Sequence, residues 1–118
     1  MTSALPPESA SLPAAVALYL ERVAGTTPAD ALAAFTAEAV VIDDGAMYRG
    51  SAEITGWLTR TVTAFEYTTT FLGAETDGSA TTVRNRLEGN FPGGVVELRL
   101  LFLLDAATGL IRALTIAP

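Results

Sequence analysis

Apolar positions follow two different periods along this chain. Val16, Tyr19, Leu20 and Val23 recur at helical spacing and stop at Gly25, which predicts a first helix. Thr27-Pro28-Ala29-Asp30 places a hydroxyl, a Pro and an acid where a helix starts, and Leu32 with Phe35 supplies a short apolar face for a brief second helix. Val40-Val41-Ile42 is a β-branched run ending at Asp43-Asp44-Gly45, so a hairpin turns there into a second short strand carrying Met47 and Tyr48. After Arg49-Gly50, Ser51 stands where it caps a third helix. The stripe of that helix is Ile54, Trp57, Leu58, Thr61, Val62 and Phe65. From Tyr67 onward the period falls to two, in runs of Thr, Val, Phe and Leu broken at Asp77-Gly78, Pro92-Gly93-Gly94 and Asp105 to Gly109. That pattern predicts four antiparallel strands.

Helices gathered early and strands gathered late define an α+β layout, three N-terminal helices packed against a curved, mostly antiparallel sheet that encloses a core. Residues 1–11, polar and Pro-containing, read as a flexible leader, and 12–118 as a single domain. Alternation sorts the late strands into faces. Val83, Asn85, Leu87 and Phe91 share one face, and Val96, Leu98, Leu100, Phe102 and Leu104 the matching one on the next strand. Both are expected to meet the helices. The opposite faces carry Thr82, Arg84, Arg86 and Glu88, then Glu97, Arg99, Leu101 and Leu103. That surface suits a second copy of the chain, giving a homodimer; its alternative is a solvated face with cross-strand ion pairs of about 0.5 kcal/mol each.

Composition narrows the chemistry. The chain has 118 residues, half of them hydrophobic and 17% charged, enough for one compact domain with a real core. Seven Arg and no Lys face thirteen acids, and the net charge of −6 argues against nucleic acid and anionic membranes as partners. Glu97 and Arg99 interrupt the most apolar segment, and the first residues lack a basic start and a long apolar run, so a soluble cytoplasmic protein is the default. An Arg-only basic set beside abundant Ala is associated with GC-rich bacterial coding. Without His or Cys there is no Ser-His or Cys-His nucleophile, no thiolate redox centre and no zinc site of the usual kind. Without Lys there is no Schiff base and no P-loop, and no GxGxxG follows a strand. No cofactor and no metal are therefore expected, and any catalysis falls to carboxylates, Tyr, Arg, Asn and hydroxyls.

The succession Ala34-Phe35 through Ala39-Val40-Val41-Ile42-Asp43, then Tyr48-Arg49-Gly50-Ser51-Ala52-Glu53-Ile54, then Asn90-Phe91-Pro92-Gly93-Gly94, then Ile111-Arg112-Ala113-Leu114, resembles the nuclear transport factor 2-like superfamily, in particular its SnoaL-like and ketosteroid-isomerase-like members. The resemblance spans nearly the whole chain and rests on the order of these segments. It implies a cone-shaped α+β barrel, open at one end onto an apolar pocket and commonly dimeric through the outer sheet face. Against the steroid isomerases it places Tyr19 at the oxyanion-binding Tyr and Asp43 at the base. The family's second acid aligns, through Phe102 and the last segment, at or beside Leu98, where no acid faces inward. The Asp-Arg-Asp relay of the superfamily's epoxide hydrolases is not supported, because Arg84, Arg86 and Arg99 fall on outward faces.

Each candidate carries two readings. Asp43 at the rim of an apolar cavity would lose hydration, which disfavours its charged form and makes it a better base; an Asp before Asp-Gly is equally what a hairpin selects. Tyr19 either donates to an oxygen gaining negative charge or is core beside Val16 and Val23. Trp57 either walls a ring-shaped ligand or fills space, and its N–H needs a partner in both cases. Asn85, the one polar side chain on its inward face, either bonds within the core or orients a ligand. Tyr48 and Tyr67 are secondary candidates at the cavity mouth, and Leu98 and Phe102 supply apolar lining. Two functions follow: a cofactor-independent isomerase or polyketide-type cyclase acting on a small apolar carbonyl compound, or a non-catalytic ligand-binding or dimerisation module of the same fold.

Overall fold

In the computed structural model, residues 12–60 and 66–118 are described. The leader through Ser11 and the stripe positions Thr61, Val62 and Phe65 lie outside the described residues. Helix α1 (Ala14–Val23) buries Ala15, Val16 and Tyr19 on one face. It ends where the Gly25 N–H donates to the Arg22 carbonyl at 3.2 Å. The second helix, Pro28–Ala34, is a 3₁₀ helix. Seven residues opening on a Pro are too few to repay α-helix nucleation, and the three-residue repeat turns Ala31 and Ala34 inward together.

Phe35, read above as the end of that helix, instead opens strand β1 (Phe35–Asp43), which is nine residues long. Its first half escapes a period-two reading because its register against the last strand shifts between Phe35 and Val40. The hairpin to β2 (Ala46–Arg49) turns at Asp44-Gly45, with φ of 54° and 82° and Asp43 paired to Ala46. Positive φ at both central residues is the type I′ signature that Asp-Gly predicts. Helix α2 (Gly50–Arg60) buries Ile54, Trp57 and Leu58. The bond found at its start runs from the Arg49 N–H to the Glu53 carboxylate at 2.7 Å, so an acid four residues on ties down the entry where a Ser51 cap was expected.

Strands β3 (Tyr67–Asp77), β4 (Ala80–Gly89), β5 (Val95–Leu104) and β6 (Ile111–Ala117) complete one sheet of order β2-β1-β6-β5-β4-β3. All neighbours are antiparallel except β1 and β6. The sheet does not close, because β2 and β3 are its two edges. The expected barrel is therefore corrected to an open, curved six-stranded sheet with the helices on its concave side. A further correction concerns Phe91, which lies in the β4–β5 turn, two residues beyond the end of β4, and not on the strand face. On the convex side Gly73, in a bulge of β3, lets the Arg84 guanidinium lie flat; a Cβ there would meet it at 2.8 Å.

Inside the curve, Phe102, Leu114, Val83 and Ile111 are sealed from solvent together with Val16, Ile54 and Leu58. Thr81 is sealed there too, its hydroxyl 3.0 Å from that of Thr76 on the paired strand. Leu98, Phe71 and Tyr48 are only partly buried against the same cluster. The packing is thus complete around Val83, Phe102 and Leu114 of β4, β5 and β6, and looser toward Leu87 and Val96.

Candidate functional site

Alternation along β1 turns Val41 and Asp43 toward the concave side, where Val41 is fully buried and Asp43 half-buried. Asp43 pairs with Ile116 of β6 on one flank and with Ala46 across the hairpin on the other, so its backbone is held on both sides. Trp57, one turn beyond Ile54 on α2 and 1% exposed, donates its indole N–H to Asp43 Oδ2 at 3.0 Å. The partner that a buried indole needs is therefore the candidate base, fourteen residues earlier in sequence. One carboxylate oxygen is thus engaged.

Tyr19 is buried, with its ring edge-on to Phe35 at 5.8 Å and to Phe102 at 5.4 Å between centroids. Burial pushes its phenol far above the ordinary value, and the Tyr67 phenol and the Asp43 carboxylate add to the shift. Tyr67, at the start of β3 and 37% exposed, is raised too, first by desolvation and then by Asp43. Both phenols therefore stay protonated at neutral pH and sense the Asp43 charge. Asp43, Trp57, Tyr19 and Tyr67 thus lie in one region.

Asn85 lies on the concave face of β4, in register with Phe71 on one side and Leu98 on the other. It is 7% exposed, and its Oδ1 has no hydrogen-bond partner among the described residues. Leu98 is half-buried beside it, between the exposed Glu97 and Arg99, so no acid enters from that strand. Phe102 is wholly enclosed against Tyr19 and belongs to the sealed part of the core. Tyr48 sits opposite Val41, its ring tilted 33° over Trp57 at 6.1 Å. It also lines an open cleft of about 410 Å³ with Ala52, Glu53, Gly56 and Arg60. Phe71 is an inward aromatic that the sequence reading missed; the bulge between Phe71 and Gly73 breaks the alternation that would have disclosed it.

On the convex face Arg84 stands opposite Arg99, Arg86 opposite Glu97, and Thr82 opposite Leu101. The three Arg side chains are exposed there, away from Asp43. Among the described residues no cluster of His, Cys, Asp or Glu could hold a metal ion, and no helix is long and apolar enough to cross a membrane.

A curved sheet wrapped around helices, with one carboxylate and two phenols gathered on its concave side, defines a class of small α+β proteins built around an inner face. Comparison with solved structures gives that class its name. A candidate polyketide cyclase from Sinorhizobium meliloti is 30% identical, with a TM-score of 0.84 over 92% of this chain and 98% of that one. A protein with a ketosteroid isomerase-like fold from Catenulispora acidiphila, in complex with trimethylamine, is 23% identical at a TM-score of 0.78, covering 92% and 87%. A Mycobacterium tuberculosis protein in complex with estradiol-17β-hemisuccinate is 17% identical at a TM-score of 0.71, covering 89% and 91%. The chain belongs to the nuclear transport factor 2-like, SnoaL-like superfamily, and it shares its fold with the ketosteroid isomerase-like protein. No family model and no curated protein sequence matches it.

Proposed function

We propose that the chain binds a small apolar carbonyl compound on its concave face and moves a proton beside the carbonyl, as an isomerase or polyketide-type cyclase. The observation that carries this is the 3.0 Å bond from Trp57 to Asp43, which fixes a carboxylate on the inner face within electrostatic reach of the Tyr19 and Tyr67 phenols. The other Asp43 oxygen takes a proton from the carbon next to the carbonyl. Tyr19 donates a hydrogen bond to the oxygen on which the negative charge collects. The enolate then recovers the proton from Asp43 at a different carbon, which is isomerisation, or its carbon attacks a second carbonyl of the same molecule, whose oxygen becomes an alkoxide and takes the proton from Asp43, which is ring closure. No cofactor enters either step. Similarity to the Sinorhizobium meliloti protein supports the cyclase form.

A second reading has its own observation. The Asp43 carboxylate satisfies a buried indole, a task that requires no chemistry, so the same face could hold a ligand without turning it over. Deuterium uptake from D₂O at the carbon beside the carbonyl of 1-tetralone, followed by NMR, separates the two. Catalysis predicts uptake that falls by about 10²- to 10⁴-fold in Asp43→Asn and by about 10²- to 10³-fold in Tyr19→Phe. Binding of the ketone with uptake no faster than in buffer would leave the binding module as the function.

A further inference from the structure

The geometry points to Asn85 as the part of the inner face that recognises the ligand's hydroxyl group, so that the preferred guest is an apolar ring compound bearing a hydrogen-bond donor. This rests on the apolar-pocket reading above and specifies its ligand.

Two observations converge on Asn85. Its amide oxygen is sealed from bulk water with no partner among the described residues, a condition that is costly when nothing compensates it. Its two register neighbours, Phe71 and Leu98, are apolar and only partly buried, so ring-sized apolar surface adjoins the amide on both strands. An unpartnered amide oxygen accepts a hydrogen bond, and its complement is an O–H donor set into a hydrocarbon frame. Neighbouring hydroxyls do not meet that need: Thr81, four residues earlier on the same face, bonds to Thr76.

The pair 2-naphthol and naphthalene, which differ by one hydroxyl, tests this by NMR titration of the full chain. Wild type is expected to bind 2-naphthol about tenfold tighter than naphthalene, the worth of one well-made hydrogen bond. Asn85→Leu, of similar volume, is expected to bind both equally and to melt higher than wild type, because the orphaned amide is gone. A preference that survives in Asn85→Leu and disappears in Tyr19→Phe places the hydroxyl at Tyr19 and overturns the inference. An Asn85→Leu chain that melts lower or does not fold shows an amide engaged inside the protein, and overturns it too. Wild type binding both probes equally refutes the role of Asn85 while leaving the pocket standing; wild type binding neither refutes the pocket itself.

Discussion

The bond between Trp57 and Asp43 is where packing and chemistry meet, and a double-mutant cycle measures it. Asp43→Ala leaves a 1%-exposed indole N–H without an acceptor. Trp57→Phe keeps a ring under Tyr48 but withdraws the donor and part of the core volume. A hydrogen bond to a charged group contributes about 1.5–3 kcal/mol, and because Asp43 is half-buried, water competes for it and the lower half of that range applies. The coupling energy is therefore expected near 1.5–2 kcal/mol. At about 2.1 cal/mol/K of unfolding entropy per residue, the 118-residue chain loses roughly 4 °C of Tm per kcal/mol, so Asp43→Ala should melt about 6–8 °C lower. Urea unfolding followed by far-UV circular dichroism is the suitable assay, since the chain's single Trp is itself altered in half the cycle. Asp43→Asn, which keeps an acceptor oxygen, should recover part of the loss. A coupling under about 0.5 kcal/mol, the range of an exposed pair, would mean that the carboxylate stands in water, and the base assignment would lose its geometric support.

Three other outcomes are open to measurement. The raised Tyr19 phenol adds stability that is whole below pH 10, where the unfolded chain also keeps its tyrosines protonated. Above that pH the unfolded Tyr ionises and the folded one does not, so stability falls by about 1.4 kcal/mol per pH unit from this residue, and Tyr19→Phe should flatten that alkaline limb in pH-dependent urea titrations. Gly45→Val forces a β-branched residue to φ 82° and should cost about 1–2 kcal/mol, read as a Tm lower by several degrees; an unchanged Tm would rule out the type I′ turn. Assembly through the convex face predicts a dimer by light scattering that Leu101→Glu converts to monomer, and a wild-type monomer would refute it.

The parts of the fold legible in the sequence were those where one local rule acted alone. Asp44-Gly45 named its turn, and the alternation Val83, Asn85, Leu87 against Leu98, Leu100, Phe102 named the concave face, because a two-residue period survives wherever strands pair without interruption. Legibility failed at bulges. Register shifts on β1 after Phe35 and on β3 at Phe71 moved side chains between faces, hiding half of one strand and one inward aromatic. The openness of the sheet was hidden for a different reason: whether edge strands meet depends on curvature summed over six strands, which no local pattern records. Asp43 and Trp57 could each be singled out from sequence, whereas their bond could not. It depends on how α2 lies over β1.

That dependence bears on what the site can do. Asp43 ends a strand whose next two residues are committed to positive φ, and it is paired on both flanks, so its backbone has little freedom. Its side chain is held by a Trp that is itself locked in the core on a short helix. With one oxygen bonded to Trp57 and its backbone held, this carboxylate has a narrow range of positions, and the reaction it suits is one in which the substrate is brought to it. In the proposed site the sealed part of the inner face, around Phe102 and Val83, would form the floor, and the partly buried Phe71 and Leu98 the wall. Preorganisation of this kind favours proton transfer at a carbon, where the barrier falls with positioning of the base and with a donor already aimed at the oxygen. In the proposed reaction Tyr19, kept protonated by its burial, would be that donor. The stability experiment on Asp43 and the deuterium-uptake experiment therefore test one arrangement from two sides: if the bond to Trp57 holds the base, weakening it with Trp57→Phe should slow uptake more than it weakens ketone binding.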